Sequence, residues 1–506
     1  MSKQTQADNK QDESTVNQNR AGGEKKEEAV QDNIVETQHT IIIDGKQLCY
    51  TATAGTIVLK DEDEKEGVKS KASVFFVAYT KNSTDDESVD TNKRPLTISF
   101  NGGPGSSSIW MHLGMLGPRR VLSGDVDNPM PPPYQLVDNE HSILDKTDLV
   151  FIDPVSTGYS RPVPGEEAKQ FHGYEKDIES VGDFIRLYVT RYKRWGSPKF
   201  IIGESYGTTR AAGLSGHLQN RYGLYLNGIM LISSILDFQT ALFTPGNDLP
   251  YILYLPSYTA TAWYHGLLDD DLQADLPKAL REAERFAKGD YNLALMEGSA
   301  LSPERHDEIA TQVARYTGLS KAYLQQSNLR VTIMRFTKEL LRSQGRTVGR
   351  FDSRFKGIDR NQVGEFFEYD PSFPIVHGAY TAMLHHYLQT ELNYENDLPY
   401  EVLKGLYQTW DYNKFKNQFV YVAETLRAAM TQNPFLKVFV GNGYYDLATP
   451  YFATEYTFTH LGLDASLQQN ISMGYYEAGH MMYVNEASLA KTKVDLAAFI
   501  DSAVTT

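Results

Sequence analysis

The chain has 506 residues, of which 41% are hydrophobic and 22% charged, and its formal net charge at pH 7 is −15. This length is enough for one large domain or roughly two to four small ones, and the composition is typical of a globular protein. The negative charge argues against nucleic acid or an anionic membrane as a partner. The single cysteine, Cys49, excludes an intrachain disulfide. No spacing of histidine, cysteine or aspartate indicates a metal site, and we expect no cofactor.

The N-terminal part of the chain is polar. Residues 1–38 are almost wholly polar and predict a disordered tail. They contain no apolar stretch typical of a signal peptide, and no run of about 18 apolar residues that could span a membrane follows them. With the single cysteine, these features predict a cytoplasmic protein that has no membrane partner. The oligomeric state is left open.

Strand and helix patterns alternate along the rest of the chain. Residues 40–45 and 46–60 predict a hairpin, and residues 174–192 have a helical pattern. Strands that alternate with helices predict an α/β fold with a mostly parallel sheet. The further predicted strands are residues 73–79, 96–100, 148–152, 198–202, 228–233, 436–440 and 470–476.

A Gly-x-Ser-x-Gly motif follows one of these strands directly. It runs from Gly203 through Ser205 to Gly207 and leads into a helical pattern. This strand–turn–helix arrangement is the nucleophile elbow of α/β-hydrolases, in which a strained turn exposes the serine hydroxyl at the edge of the sheet. The glycines leave room for that turn. The motif therefore predicts Ser205 as a nucleophile.

A glycine- and serine-rich loop, residues 101–108, follows the strand at 96–100. In hydrolases this loop supplies one oxyanion donor, and the residue after the nucleophile supplies the other. We therefore predict the N–H groups of Gly103 and Tyr206 as the donors. The alternative interpretation is an ordinary flexible loop.

The acid and the base are predicted from chain order. Asp446 follows the strand at 436–440, and His480 follows the strand at 470–476. Ser205, Asp446 and His480 then have the nucleophile–acid–base order of α/β-hydrolases. Asp153 also follows a strand, but it precedes the serine and is interpreted as structural. The competing histidines His385, His386 and His460 lie in helical patterns and are interpreted as surface or packed residues.

These motifs together resemble the serine carboxypeptidases of peptidase family S10. The resemblance extends from about residue 95 to residue 483. It implies release of C-terminal amino acids from peptides through an acyl-enzyme. It also implies that Asn101 and Glu204 hold the terminal carboxylate of the substrate. The matching segments are residues 101–108, 116–118, 153–160, 203–207, 441–446 and 479–481.

The chain departs from the family pattern at three positions. Ser99 stands where members usually have tryptophan, Met115 where fungal and plant enzymes usually have a second glutamate, and Ser106 where a cysteine is common. The first two changes fall in the part of the site that recognises the carboxylate. An esterase or acyltransferase on the same scaffold therefore stays an alternative, as does, from a different class, an inactive binding protein with a hydrolase fold.

The spacing of the triad predicts an insertion. Ser205 and Asp446 are much further apart in sequence than Asp446 and His480. We predict a catalytic core of residues 39–233 and 417–506, and a mainly helical cap of residues 234–416. A separate domain with its own function is the alternative. The basic run at residues 345–354 either approaches the site or forms a solvated loop.

Overall fold

A computed structural model of the protein describes residues 30–63, 67–85, 87–126 and 128–504. Its central element is a mixed sheet of ten strands. Nine of them form a continuous path. The tenth, the short strand Arg161–Pro162, pairs with the third strand of that path, Gly67–Lys81.

The nine strands of the path run in the order β1-β2-β3-β5-β4-β6-β7-β8-β9. The pairs from β1 to β3, and the pair β3–β5, are antiparallel. All pairs from β5 to β9 are parallel. This confirms the predicted α/β class with its largely parallel sheet. The strands are β1 Asn33–Ile43, β2 Lys46–Asp63, β3 Gly67–Lys81, β4 Leu96–Phe100, β5 Asp148–Ile152, β6 Lys199–Glu204, β7 Gly228–Ile232, β8 Lys437–Gly443 and β9 Ile471–Tyr476.

Helices cover both faces of this sheet. None of the helices in the described part of the chain combines the length and the apolar content that crossing a membrane requires. A short turn of helix at Ile109–Met111 continues into a wider π-helical turn at His112–Leu116. The other α-helices are α1 Tyr174–Arg191, α2 Tyr206–Tyr222, α3 Leu249–Tyr264, α4 Asp270–Gln273, α5 Leu276–Phe286, α6 Asn292–Glu297, α7 Pro303–Thr317, α8 Lys321–Gln326, α9 Ile333–Glu339, α10 Phe373–Thr390, α11 Ala423–Gln432, α12 Tyr451–Thr459, α13 Ala465–Gln468 and α14 Glu486–Val504.

The central strands are buried on both faces. Every residue of β4, β6 and β7 is buried. Because side chains alternate along a strand, Ile201 and Ile229 enter the hydrophobic core on one face, and Ile202 and Met230 enter the core on the other. Helices cover both faces of such strands, which is why residues 200–202 of β6 and 229–232 of β7 are continuous apolar runs.

The first strand corrects the predicted extent of the polar tail. Residues 1–29 lie outside the described residues, but β1 begins at Asn33, so the prediction of disorder is wrong for residues 33–38. This segment pairs along its whole length with β2, from Asn33 opposite Thr56 to Ile43 opposite Lys46. Backbone pairing satisfies its polar groups, and most of its side chains face solvent, so a polar sequence can form this strand.

The segment between β7 and β8 is rich in helices. Helix α7 begins at an N-cap, where Ser302 Oγ accepts the N–H of Arg305 at 3.2 Å. The hydrophobic core of this segment includes Leu253 and Val313, and it continues into Tyr445, which follows β8. The helices of this segment therefore share a core with the loop that carries the predicted acid.

Candidate active site

The nucleophile turn has the strained geometry that its sequence predicts. Ser205 lies between β6 and α2 with φ 60° and ψ −129°, a region that residues other than glycine rarely adopt. Its N–H donates to the carbonyl of Ile232 at 3.0 Å. A Cβ atom on Gly203 would lie 2.3 Å from the carbonyl oxygen of Gly207, so the turn closes only with glycine at position 203.

The glycine-rich loop after β4 packs directly on this turn. A Cβ atom on Gly102 would lie 2.5 Å from the nitrogen of Tyr206 and 2.7 Å from the carbonyl oxygen of Glu204. Gly103 follows with φ 102°, which also favours glycine. The structure thus brings the loop that carries Gly103 against the backbone of Tyr206, the other predicted oxyanion donor.

The predicted acid and base form a buried hydrogen-bonded pair. His480 Nδ1 and Asp446 Oδ2 are 2.7 Å apart. Burial alone would lower the pKa of the imidazole, but the charge and the hydrogen bond of Asp446 raise it above its usual value. This is the arrangement that orients a general base and stabilises its protonated form.

A second set of contacts fixes the acid. Asp446 Oδ1 accepts the N–H groups of Ala448 at 2.7 Å and Thr449 at 3.0 Å, and the Thr449 hydroxyl donates to Oδ2 at 2.8 Å. Thr449 belongs to none of the motifs that predicted the site. Its position three residues after Asp446 was the available signal, because a carboxylate at a turn commonly accepts nearby backbone N–H groups.

Strand topology explains why these residues meet. Ser205, Asp446 and His480 follow β6, β8 and β9, which run parallel within the same sheet. Parallel strands end at the same edge, and ligands bind along that edge in open α/β sheets. Ser205 and His480 line one cavity of about 620 Å³.

Glu204 and Asn101 form a buried pair beside the nucleophile. Asn101 Nδ2 donates to Glu204 Oε1 at 2.8 Å, and Asn101 Oδ1 accepts the N–H of Met111 at 3.1 Å. Burial raises the pKa of Glu204 to about 7, against the opposing effect of His480. Both residues line the cavity. Glu204 can therefore carry a proton near neutral pH, which allows it to lie beside another carboxyl group.

An ion pair that the sequence analysis did not identify supports this loop. Arg210 on α2 is buried, and its Nη1 donates to the carbonyl of Asn101 at 2.7 Å. Its Nε donates to Asp177 at 2.8 Å.

Tyr483 is another buried residue that no sequence motif indicated, and it interacts electrostatically with Glu204. Neither the Tyr483 hydroxyl nor Glu204 Oε2 has a hydrogen bond of good geometry within the described chain.

The positions that depart from the family pattern are buried. Ser99 lies on β4, and its hydroxyl is 3.9 Å from the sulfur of Met111. Met115 lies in the hydrophobic core on one face of the sheet. Ser106 lines the cavity and accepts the indole N–H of Trp110 at 3.0 Å. The serine at position 106 therefore orients an aromatic side chain of the cavity wall.

The competing residues lie elsewhere. Asp153 accepts the N–H of Ser108 at 2.8 Å and so braces the glycine-rich loop, which agrees with its structural interpretation. His385 and His386 lie on α10, and His460 follows α12. Of the histidines in the described part of the chain, His480 alone lines the cavity.

The basic run at residues 345–354 approaches the site. Arg350 and Phe351 line the cavity. The N–H of His480 donates to the carbonyl of Phe351 at 2.6 Å, and the N–H of Leu447 donates to the carbonyl of Arg350 at 3.0 Å. Of the two alternatives left open by the sequence, the structure supports contact with the site. This loop lies against the segments that carry both the acid and the base.

A serine on a strained strand–helix turn, with an Asp–His pair on later strands of the same sheet edge, defines the class of α/β-hydrolases. Within that class, the family model of the serine carboxypeptidases matches residues 65–498. The chain belongs to this family. Membership favours the carboxypeptidase interpretation over the esterase and the inactive binding protein.

Individual relatives resemble parts of the chain. The pheromone-processing carboxypeptidase KEX1 of Saccharomyces cerevisiae is 37% identical over 160 residues, which are 30% of this chain and 20% of that protein. A carboxypeptidase Y homologue of Paracoccidioides lutzii is 24% identical over 211 residues, 40% of this chain and 34% of that protein. The alignments thus span about a fifth and about a third of these two relatives. The crystal structure of the S. cerevisiae KEX1 enzyme, a prohormone-processing carboxypeptidase, has a TM-score of 0.56 at 18% identity and covers 89% of this chain and 91% of that one, which shows a common fold.

The relatives correct the predicted location. KEX1 and carboxypeptidase Y are enzymes of the secretory pathway or the vacuole, so the prediction of a cytoplasmic protein is wrong. That prediction relied on the lack of an apolar stretch typical of a signal peptide or a membrane span, and on the single cysteine. A cysteine count constrains which disulfides can form, but a fold whose core is held by apolar packing needs none, so the count did not specify a compartment.

Proposed function

We propose that the protein is a serine carboxypeptidase that releases C-terminal amino acids from peptides through an acyl-enzyme. The observation that carries this proposal is the buried pair of Glu204 and Asn101 next to Ser205, in the cavity that His480 also lines. A hydrolase of esters needs no buried carboxyl group beside its nucleophile. A carboxyl group whose pKa is raised to about 7 can donate a hydrogen bond to a peptide's terminal carboxylate.

The catalytic steps follow from the roles of three side chains. Ser205 Oγ attacks the carbonyl carbon of the last peptide bond while His480 accepts its proton. Asp446 holds the imidazole in the required tautomer and stabilises its charge. His480 then gives the proton to the leaving amino group, and water attacks the acyl-enzyme with His480 again as the base.

Backbone donors stabilise the charge that develops on the carbonyl oxygen. We assign this role to the N–H groups of Gly103 and Tyr206. The close approach of Gly102 to the nitrogen of Tyr206 supports the assignment, because it brings the loop and the turn together. Donors fixed in this way cost no reorganisation during the reaction.

Recognition of the substrate's terminal carboxylate by Glu204 should make the rate of peptide hydrolysis depend on pH. Below its pKa of about 7, Glu204 is neutral and can donate to the substrate; above it, two negative charges repel each other. His480 must be neutral to accept the proton, and Asp446 raises its pKa. Peptide hydrolysis should therefore fall at high pH through Glu204 and at low pH through His480.

We propose that residues 234–416 form a cap over a core made of residues 39–233 and 417–506. Many residues of the cavity wall come from the inserted segment, from Arg350 to Val376 and at Leu403 and Tyr407. This segment also shares a hydrophobic core with Tyr445, which favours a cap rather than an independent domain. The substrates would be peptides that enter between the cap and the sheet edge.

The discriminating experiment uses one blocked dipeptide in three forms. The free acid, its C-terminal amide and its ester are incubated with the protein across pH, and the products are identified by mass spectrometry. The proposal predicts preference for the free acid below about pH 7, and convergence of the acid and the amide above it. Equal use of the free acid and the amide at every pH would remove the role of the terminal carboxylate, and hydrolysis of the ester bond alone would favour the esterase alternative.

A further inference from the structure

Arg350 differs from two neighbouring arginines that have carboxylate partners. Arg354 pairs with Asp352 at 2.6 Å, and Arg342 pairs with Glu339. The Arg350 guanidinium instead lies 5.1 Å from the ring centroid of Phe351, and it has no carboxylate within salt-bridge distance in the described part of the chain. Its side chain is half-buried and lines the active-site cavity.

The backbone holds Arg350 in place. Its N–H donates to Asp370 Oδ1 at 3.1 Å, and the N–H of Phe351 donates to Asp370 Oδ2 at 3.2 Å. Its carbonyl accepts the N–H of Leu447, next to the triad acid. The Phe351 ring is 5.1 Å from the imidazole of His480. These contacts fix the backbone of Arg350 between Asp370 and the acid loop, and its side chain lines the cavity that Ser205 and His480 also line.

The acidic groups and the histidine of the cavity each have a hydrogen-bond partner within the described chain. Glu204 accepts from Asn101, and His480 pairs with Asp446. Asp370 accepts backbone N–H groups and, at 2.5 Å, the hydroxyl of Ser372. Arg350 is thus the cavity cation without an anionic partner among the described residues.

The rest of the cavity wall is largely apolar. The apolar members of the wall are Trp110, Phe351, Phe367, Tyr369, Phe373, Pro374, Val376, Leu403, Tyr407 and Met481.

We propose that Arg350 forms a second anion subsite, which takes an acidic side chain of the substrate peptide. This inference rests on the proposed carboxypeptidase function. The Glu204–Asn101 pair recognises the terminal carboxylate, and Arg350 adds selection for aspartate or glutamate in the peptide. A planar guanidinium can bind a carboxylate through two hydrogen bonds, which gives geometric selection as well as charge.

The test compares matched peptides. Blocked dipeptides carry Glu or Gln at the penultimate or at the last position, each as the free acid and as the C-terminal amide. They are offered to the wild type, Arg350→Gln, Arg350→Lys and the control Arg346→Gln, and kcat/KM is measured at two ionic strengths. Arg346 belongs to the same basic run but is absent from the cavity wall.

We expect Arg350→Gln to lower kcat/KM for the glutamate peptides roughly tenfold or more and to change the glutamine peptides by less than about threefold. Arg350→Lys should retain part of the preference, Arg346→Gln should retain all of it, and salt should weaken it. A loss confined to free-acid peptides, whatever their side chains, would make Arg350 part of the terminal clamp and overturn the proposal. Equal losses for glutamate and glutamine peptides, or no loss, would also overturn it.

The test stays decisive even if the carboxypeptidase proposal fails. In that case the same peptides are used as competitors against labelling of Ser205 by a fluorophosphonate. Stronger protection by glutamate than by glutamine peptides, abolished in Arg350→Gln, supports the subsite without any peptide hydrolysis. Equal protection by both peptides overturns it.

Discussion

Two walls of different origin enclose the active-site cavity. The first comes from the carboxyl edge of the sheet and carries Ser205, Glu204 and His480, which are fixed by strained backbone, buried hydrogen bonds and glycine contacts. The second comes from the inserted segment, from Arg350 to Val376, and is mainly aromatic and aliphatic. The first wall holds groups that can break a bond, and the second holds groups that can select what is bound. Changes in the first wall should therefore affect all substrates, whereas changes in the second should affect some substrates more than others.

The largest expected effect concerns the nucleophile. Ser205→Ala should lower kcat about 10⁴- to 10⁶-fold for every substrate, because the attacking atom is gone. The variant should also lose labelling by a fluorophosphonate. Ser215→Ala is the matched control, since that buried serine lies on α2, the helix that follows Ser205, and its hydroxyl donates only to the carbonyl of Ala212 among the hydrogen bonds of the described chain. Normal turnover by the Ser205 variant would refute the assignment.

The next effect concerns the acid. Asp446→Asn should lower kcat on the order of 10⁴-fold by favouring the wrong tautomer of His480, with little change in KM. Asp153→Asn is the control. Burial already raises the pKa of Asp153 to about 7, and an amide oxygen can still accept the N–H of Ser108. If the Asp153 variant were inactive and the Asp446 variant active, the chain-order assignment of the triad would be wrong.

A smaller effect is expected at the glycine-rich loop, residues 101–108, which we propose carries one oxyanion donor. Gly102→Ala would place a Cβ atom 2.5 Å from the nitrogen of Tyr206, so the loop must move away from the turn. Loss of one donor should lower kcat about 10²- to 10³-fold. Thermal unfolding of the variant separates this loss from misfolding. Gly405→Ala, where the added atom has only contacts of 3.8 Å, should leave both activity and melting temperature unchanged.

The smallest effect is a change in pH dependence. Above about pH 7, kcat/KM for a free-acid peptide should fall about tenfold per pH unit as Glu204 ionises, while the matching amide should not fall. Glu204→Gln stays neutral and should remove this fall. An unchanged alkaline limb in the variant would exclude Glu204 as the titrating group.

The two walls also differ in how much of each could be predicted from the sequence. The first wall follows from local rules: a strand that ends in Gly-x-Ser-x-Gly predicts a strained turn, and polar residues after parallel strands predict a common edge. Thr449, Arg210 and Tyr483 were missed, although each lies within a few residues of a predicted group. Their roles depend on which way a side chain points after folding, and a single sequence does not encode that in a short motif.

The sequence by itself determined the sheet, the turn at Ser205 and the chain order of the serine, the aspartate and the histidine, because glycine placement and apolar runs act over a few residues. The tertiary structure alone decided that residues 33–38 form a strand, since that depends on pairing with β2. It also decided that Arg350 lines the cavity and that Glu204 is buried enough for its pKa to rise to about 7. Those outcomes depend on contacts between segments far apart in the chain, where long-range packing sets burial and charge environment.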